Sequence, residues 1–278
     1  MVNMNSSDDA FFSYYAGESA SETTLARFLA TRDAVLCVAR SFGVRGSPLE
    51  VADIGCGAAT QCAIWARDGH HVHGVDINER LVELGRKRAA EQRLEMALSV
   101  SSATSLPWQS GSMDICLCPE LLEHVADWQA CLSEAVRVLR PGGVLYLSTT
   151  NRLCPVQEEF TLPLYSWYPA LLKRHCERLA VTSKPAIANH ARYPAVNWFT
   201  FFQLRRYLSP YGFESIDRFD LAALRTTAPL ARAILGFIRS VAPLRYAAHV
   251  LTPYTVLIGH KRPTAQPVSL NPSSAPSP

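Results

Sequence analysis

Strand-like and helical segments alternate through the first half of this 278-residue chain. Apolar runs of strand length occur at 49–54, 71–77, 95–100, 113–118 and 144–149. Helical periodicity occupies 58–67, 79–90 and 128–139, with Asn78 as a helix cap and Arg140-Pro141-Gly142-Gly143 as a stop signal. Repeated alternation with short loops predicts parallel strands covered by helices on both faces. We therefore expect an α/β fold built on a doubly wound, mostly parallel sheet.

The pattern divides the chain into five parts. They are an N-terminal helical cap (1–48), the core that carries the alternation (49–151), an insertion (152–199), a segment that completes the core (200–262) and a low-complexity tail (263–278). The insertion follows the fifth strand and holds five prolines and seven aromatic residues, which predicts a folded lid rather than an idle loop. In the completing segment we expect a helix at 200–208, strands at 213–219 and 254–260, and a helical region at 229–250. The tail is expected to be disordered.

Composition argues against a membrane-spanning or exported protein. No apolar run approaches the roughly 20 residues that a spanning helix needs. The first residues lack the basic and apolar regions of a secretory signal. The eight cysteines are scattered, without the CxxC pairs of zinc or redox sites. We expect a cytoplasmic protein with reduced cysteines and no metal site.

Charge is distributed unevenly between the two halves. Residues 1–150 carry 12 basic and 18 acidic side chains, a net charge of −6, whereas residues 151–278 carry 15 and 6, a net charge of +9. No acidic residue follows Asp220. This basic segment predicts either a solvated surface or contact with an anionic membrane, on which the helical region 229–250 could lie without crossing it. We expect no nucleic-acid partner, because the basic half contains no separate binding module.

The segment 51–57, Val-Ala-Asp-Ile-Gly-Cys-Gly, runs from a strand directly into a glycine turn. Gly55 and Gly57, on either side of Cys56, allow the backbone to approach a ligand closely. The dinucleotide fingerprint has a third glycine where this chain has Thr60. Asp53 precedes the turn, where a carboxylate would repel a pyrophosphate and attract an ammonium group. The turn therefore predicts a cationic nucleoside without phosphates.

Further candidate contacts to a nucleoside follow the other strands. Asp76, followed by Ile77, ends the second strand, where an acidic side chain can accept both ribose hydroxyls. The alternative is that Asp76 only caps the next helix. After the third and fourth strands come the candidates for enclosing the base and cofactor: Ser102, Ala103 and Pro119.

These motifs together resemble those of class I S-adenosylmethionine-dependent methyltransferases. VADIGCGAAT, HGVDINE, SATSLPW, CLCPELLEHVADW and LRPGGVLYLSTTNR occur in the order and spacing of that family over about residues 49–152. The resemblance implies a Rossmann-like fold, with 49–151 binding S-adenosylmethionine (SAM). Many relatives have an aspartate where this chain has Ser102, so a somewhat weaker hold on the adenine is expected.

Within this family, LLEHVADW and LSTTNR are similar to the ubiquinone-biosynthesis O-methyltransferase group. That similarity implies transfer to a hydroxyl of a quinol-like, phenol-like or lipid-linked small molecule. A glycan or another biosynthetic intermediate is the alternative acceptor. An NAD-type oxidoreductase and a non-catalytic SAM-binding module are the alternative functions.

A hydroxyl acceptor benefits from a base near the point of transfer. His124 is the first candidate, because an ordinary histidine can take a proton at neutral pH; it could instead have a structural role. Glu123 could orient His124 or help to hold a divalent cation. In the lid, His190, Tyr193 and Trp198 are candidate substrate contacts, since aromatic side chains suit a planar or lipidic acceptor.

Overall fold

The computed structural model describes residue 12 and residues 16–44, 46–188 and 194–263. The helices are α1 (Glu22–Ser41), α2 (Thr60–Arg67), α3 (Glu79–Gln92), α4 (Trp128–Val138), α5 (Ala170–Thr182), α6 (Phe201–Leu208), α7 (Arg218–Arg225), α8 (Pro229–Ser240) and α9 (Ala242–Val250). The strands are β1 (Glu50–Ile54), β2 (His71–Asp76), β3 (Ala97–Val100), β4 (Met113–Pro119), β5 (Leu139–Thr150), β6 (Phe213–Asp217) and β7 (Tyr254–Lys261). Short 3-10 turns lie at Tyr165–Trp167, Pro185–Ala188 and Ser209–Tyr211.

The strands form a single seven-stranded sheet in the order β3-β2-β1-β4-β5-β7-β6. Strands β1 to β5 are parallel, and β7 is antiparallel to both of its neighbours, β5 and β6. The expected α/β fold with a doubly wound, mostly parallel sheet is confirmed. Because the order reverses between β1 and β4, a crevice opens at the carboxyl ends of these strands, where ligands bind in sheets of this type.

Helices cover both faces of the sheet, as parallel strands require. One buried cluster joins α1, α2 and α3 to the sheet and includes Val35, Trp65 and Val82. The other joins α4 and α6 to the opposite face and includes Leu132 and Leu204. Side chains at the first turns fix where three of these helices begin: Ser21 caps α1, Asn78 caps α3 and Asp127 caps α4.

Several predicted boundaries differ from the structure by one or more residues, and in two places the cause is visible. The helix predicted at 128–139 ends at Val138, and β5 starts at once at Leu139, so that the segment Arg140–Gly143 is part of the strand. A shift of register against β4, between Met113 and Ile115, accommodates it. The strand predicted at 213–219 ends at Asp217, because this residue and Asp220 form a capping box that starts α7.

The lid and the C-terminal segment contain more helix than the sequence indicated. Helix α5 lies inside the predicted lid, whose described residues have their own small core around Phe160, Tyr165 and Trp198. The helical region predicted at 229–250 is two helices, α8 and α9, which meet at Val241. The five-part division of the chain stays a prediction. Most of the expected disordered tail lies outside the described residues.

Within the described parts of the chain, no helix has both the length and the apolar character needed to cross a membrane.

Candidate functional site

The glycine turn after β1 is held in a left-handed backbone conformation. Gly55 has φ +80° and Gly57 has φ +50°, a region that favours glycine. A Cβ on Gly55 would lie 2.9 Å from a methyl carbon of Leu121, whereas a Cβ on Gly57 would meet nothing within 4 Å. The backbone N–H groups of Gly55 and Cys56 donate to the carbonyl of Val75 in β2. The turn is therefore fixed to the sheet, with open space beside Gly57.

Asp76 connects this turn to the next helix. Its carboxylate accepts the N–H groups of Gly57 and Asn78, each at 2.8 Å. Burial raises the pKa of Asp76, although these two hydrogen bonds favour its ionised form. A carboxylate has about four lone-pair positions, so Asp76 can still accept ribose hydroxyls. The helix itself is capped by the side chain of Asn78, which leaves Asp76 directed at the turn and the space beside it.

A cavity of 540 Å³ lies at the carboxyl ends of β1, β2 and β4. That volume is within the range of small-molecule sites. Its charged lining residues are Glu18, Asp76, Glu120 and Glu159, and no lysine or arginine is among the described residues that line it. The cavity therefore favours a cationic ligand and disfavours a phosphate.

The structure brings most of the predicted cofactor residues together around this cavity. The predicted residues that line it are Gly55, Cys56, Gly57, Asp76, Ile77, Ser102, Ala103 and Pro119. Ile77 is 68% exposed, which leaves it available to cover a flat ring. The hydroxyl of Ser102 is 2.8 Å from that of Thr104 and accepts the Thr104 N–H. These local hydrogen bonds use part of the capacity of the Ser102 hydroxyl that was expected to serve an adenine.

Asp53 lies behind the turn rather than in the cavity wall. It is buried and does not line the cavity. The Cys62 thiol donates to one carboxylate oxygen at 3.2 Å, and the other oxygen has no hydrogen-bond partner among the described residues. Burial raises the pKa of Asp53 to about 7. Its predicted effect on a ligand's ammonium group would have to act across the turn.

The two predicted catalytic residues have different positions. His124 lines the cavity. Glu123 does not; it is completely buried, and the Thr149 hydroxyl donates to its carboxylate at 2.7 Å. Burial raises the pKa of Glu123 to about 8. In this arrangement Glu123 can position the segment around His124, and it does not reach the cavity itself.

The predicted substrate residues are not part of the described cavity wall. Trp198 packs in the core of the lid, where its ring lies 5.5 Å from that of Tyr165, and it does not line the cavity. His190 and Tyr193 lie outside the described residues.

Residues from the N-terminal segment also line the cavity, and no sequence pattern indicates them. They are Glu18, Ser19, Thr24 and Phe28. Side chains of the core hold this segment in place: the Thr60 hydroxyl donates to the Ser19 carbonyl at 2.7 Å, and Arg88 donates to the Ser19 hydroxyl. Thr60, where the dinucleotide fingerprint has glycine, thus attaches the cap to the glycine turn.

Two further residues line the cavity: Glu120, which belongs with Pro119 to the segment expected to close over the cofactor, and Glu159, which was not predicted. Glu120 follows β4 with φ +49° and forms an ion pair with Arg27 of α1. Glu159 comes from the lid, whose irregular sequence does not indicate which residues face inward. Across the described residues, no group of three or more histidine, cysteine, aspartate or glutamate side chains could hold a metal ion.

Comparison with known proteins identifies the central part of the chain. Residues 52–147 match the family described as "Methyltransferase domain". The ubiquinone biosynthesis O-methyltransferase of Coxiella burnetii is 35% identical over 102 residues, which are 37% of this chain and 44% of that protein. The chain thus matches less than half the length of this curated relative.

Solved structures share the fold over a larger part of the chain. The YcgJ protein of Bacillus subtilis has a TM-score of 0.52 at 17% identity and covers 83% of this chain and 99% of its own. Geranyl diphosphate C-methyltransferase of Streptomyces coelicolor, solved with S-adenosyl-L-homocysteine, has a TM-score of 0.51 at 18% identity and covers 85% of this chain and 75% of its own. At these identities the similarity concerns the fold. Residues 52–147 therefore match a methyltransferase domain, in line with the resemblance of the sequence motifs to enzymes that use S-adenosylmethionine, and the solved structures share the fold.

Proposed function

We propose that this protein transfers the methyl group of SAM to a small-molecule acceptor. The observation that carries the proposal is the cavity lining: an open backbone turn at Gly57 together with four carboxylates and, among the described residues, no lysine or arginine. SAM has a sulfonium, an ammonium group and no phosphate, so its charges are complementary to these carboxylates. The pyrophosphate of NAD would meet repulsion, which argues against an oxidoreductase.

The residues around the cavity provide a suitable contact for each part of SAM. Asp76 would accept the ribose hydroxyls, Ser102 and Ala103 would flank the adenine, and the turn at Gly55 to Gly57 would face the methionine part. When bound, SAM supplies a methyl group that is already activated by a positively charged sulfur. The chain then has to align the acceptor and exclude water, which in favourable cases contributes about 7–11 kcal/mol. His124, on the cavity wall beyond β4, can hold or accept a proton there.

For the acceptor we propose a hydroxyl of a quinol-like or phenol-like molecule, with a lipid-linked compound as part of the same class. The similarity to the Coxiella relative, a ubiquinone biosynthesis O-methyltransferase, supports oxygen as the methyl acceptor. The apolar cavity residues Leu121, Val125 and Phe28 support a partly apolar acceptor. A glycan or another biosynthetic intermediate remains the alternative.

Replacement of Asp76 tests the cofactor assignment. Asp76→Ala removes a charged acceptor for two hydroxyls, each hydrogen bond contributing about 1.5–3 kcal/mol, so we expect SAM affinity in calorimetry to fall at least about 100-fold. Glu79→Ala, an exposed residue at the start of α3, is the matched control and should bind SAM as the wild type does. Thermal unfolding of both variants shows whether they are folded. Unchanged SAM affinity in folded Asp76→Ala, or tight binding of NADH by the wild type, would refute the assignment.

Methyl transfer itself is tested with isotopically labelled SAM. Incubation with a small-molecule extract and untargeted mass spectrometry should show a product that gains the labelled methyl group. SAM binding without any such product would support a non-catalytic SAM-binding module instead.

We also propose peripheral contact with an anionic membrane through α8. Leu230, Ile234 and Phe237 recur at helical spacing and are 74%, 53% and 62% exposed. No acidic residue follows Asp220 in the sequence, so the surroundings complement anionic headgroups. Of the arginines in this region, Arg239 forms an ion pair with Asp220 and is already used within the protein.

Vesicle co-sedimentation tests this contact. Wild-type protein should pellet with vesicles that contain phosphatidylglycerol and not with pure phosphatidylcholine, and Phe237→Ser should reduce pelleting several-fold. Val100→Ser, on the opposite edge strand β3 and 46% exposed, is the control for loss of exposed apolar area. If Phe237→Ser leaves pelleting unchanged, or instead converts a dimer to a monomer in light scattering, α8 does not bind membranes.

A further inference from the structure

Glu159 is the residue through which the lid reaches the cofactor cavity. Of the described residues in 152–199, it alone lines that cavity. The turn that carries it is fixed from both sides: the Gln157 side chain accepts the Phe160 N–H at 2.8 Å and donates to the Phe160 carbonyl at 2.6 Å. Phe160 itself is buried in the lid core. The backbone next to Glu159 is therefore joined to the core of the lid, at the edge of the cavity.

The surroundings of Glu159 are acidic and leave its charge without compensation. Burial, and then the charges of Glu120 and Glu158, raise the pKa of Glu159 to about 7. Both neighbours have partners, since Glu120 pairs with Arg27 and the Tyr254 hydroxyl donates to Glu158 at 2.8 Å. No hydrogen bond or ion pair joins the Glu159 carboxylate to another described residue. A carboxylate in this setting binds a proton readily at neutral pH.

We propose that Glu159 accepts the proton of the methyl acceptor, and that the acceptor's reacting group is neutral and carries a hydrogen. This inference rests on the proposed methyl transfer and adds to it the residue and the substrate class. A reacting end that carries a carboxylate or phosphate is excluded, because Glu120, Glu158 and Glu159 would repel it. A phenolic or quinol hydroxyl satisfies both requirements.

The step balances without any further reactant. As the acceptor oxygen forms its bond to the methyl carbon, the bond between that carbon and sulfur breaks, and its electron pair stays on sulfur. The hydroxyl proton passes to a carboxylate oxygen of Glu159. The products are the methyl ether, the neutral thioether and a protonated Glu159, which returns its proton to solvent when the product leaves.

His124 is the competing base, and the two residues are distinguished by the acidity of the acceptor. General-base catalysis is needed least when the acceptor is already ionised. We expect Glu159→Gln to lower kcat about 100-fold with catechol and much less with 4-nitrocatechol, whose hydroxyl is more acidic. The rise of kcat with pH near 7 should disappear in Glu159→Gln. SAM affinity, measured by calorimetry, should fall much less than kcat.

Glu177→Gln is the matched control for this experiment. Glu177 is also a half-buried lid carboxylate whose pKa is raised by burial, and it does not line the cavity. We expect its kcat and pH profile to match those of the wild type. The assays use full-length protein with labelled SAM, with catechol as the first acceptor and a small-molecule extract as the second.

A second readout needs no acceptor. The folded protein binds a proton at Glu159 up to about pH 7, whereas the unfolded chain loses it near the ordinary value of 4.5. Wild-type stability therefore falls as the pH rises between these values. Glutamine does not ionise, so Glu159→Gln should unfold a few degrees above the wild type at pH 8.5 and show no such gain at pH 4.5.

Four outcomes would overturn the proposal. Undiminished transfer by Glu159→Gln, or retention of its pH dependence, excludes Glu159 as the base. If Glu159→Gln does not unfold at a higher temperature than the wild type at pH 8.5, the charge of the Glu159 carboxylate is compensated in the folded protein. If the wild type methylates neither acceptor source, the proposed function is refuted together with the role of Glu159. This outcome is distinguishable, because Glu177→Gln is then as inactive as the wild type.

Discussion

Buried carboxylates occur in two regions of this molecule and differ in whether neighbouring side chains compensate their charge. At the outer strand β6, Asp217 accepts hydrogen bonds from Arg245 at 2.8 Å and pairs with His249 at 3.0 Å. These partners hold its pKa well below the usual range despite burial. Around the cavity, Asp53 and Glu123 each have one oxygen without a hydrogen-bond partner among the described residues, and burial raises their pKa values to about 7 and about 8.

The difference indicates that the Asp217 cluster has a structural role that the buried carboxylates near the cavity do not share. The Asp217 cluster joins β6 to α7 and α9, and the rings of Phe201, Phe202 and Phe219 surround His249. A compensated charge of this kind holds helices in place. Asp53 and Glu123 lack such partners, so burial favours their protonated forms and makes their ionisation costly.

The largest effect is expected from breaking the compensated cluster. Asp217→Asn keeps a residue that caps α7 well, but it removes the carboxylate from the buried His249 and leaves Arg245 with Asp220 as its remaining anion. We expect the free energy of unfolding to fall by about 3–5 kcal/mol in urea titration. Glu214→Gln, on the same strand but exposed and only 3.7 Å from Arg262, should change it by less than about 0.5 kcal/mol. Equal effects of the two variants would mean that Asp217 is not compensated as described.

The second effect concerns Glu123 and has the opposite sign. Its pKa is about 8 in the folded protein and 4.5 in the unfolded chain, so wild-type stability decreases as the pH rises across this window, by at most about 1.4 kcal/mol per unit. Glu123→Gln keeps an oxygen for the Thr149 hydroxyl and does not ionise. We expect it to exceed the wild type by about 2–3 kcal/mol at pH 8.5, with no such gain at pH 4.5. The exposed Glu83→Gln should show no gain at either pH, and a parallel pH dependence of Glu123→Gln and wild type would contradict the prediction.

The smallest effect is expected at Asp53. Its carboxylate acts on a bound ammonium group from behind the glycine turn, so Asp53→Asn should weaken SAM binding at pH 8 by only about tenfold, or about 1.4 kcal/mol. At pH 6 the difference should shrink, because burial keeps Asp53 largely protonated below about pH 7. Calorimetry at the two pH values measures both. Identical SAM affinities of the variant and wild type at pH 8 would remove Asp53 from the cofactor site.

The local sequence pattern was sufficient to predict the sheet and many of the residues that line the cavity. The turn at Gly55 and Gly57, and Asp76 at the end of β2, line the cavity as expected, because a turn that follows a strand in a parallel sheet always lies at its carboxyl edge. Asp53 and Glu123 were harder to place, since only packing decides whether a polar side chain beside a turn faces the cavity or the core.

The lid could not be predicted at the same level. Helix α5 lies among prolines that hide its periodicity, and Trp198 looked like a substrate contact although it packs in the lid core. Glu159 faces the cavity because a glutamine side chain fixes its turn. Such contacts depend on residues brought together by tertiary structure and leave no local signal.

The position of β7 has a consequence for how the protein is made. β7 is the last described strand in the chain, yet it lies between β5 and β6. During synthesis from the N-terminus, β6 emerges first and has no strand to pair with until residues 254–261 leave the ribosome. Strands β1 to β5 can assemble before that point, so the nucleoside site can form on a nascent chain whose outer edge is still unpaired.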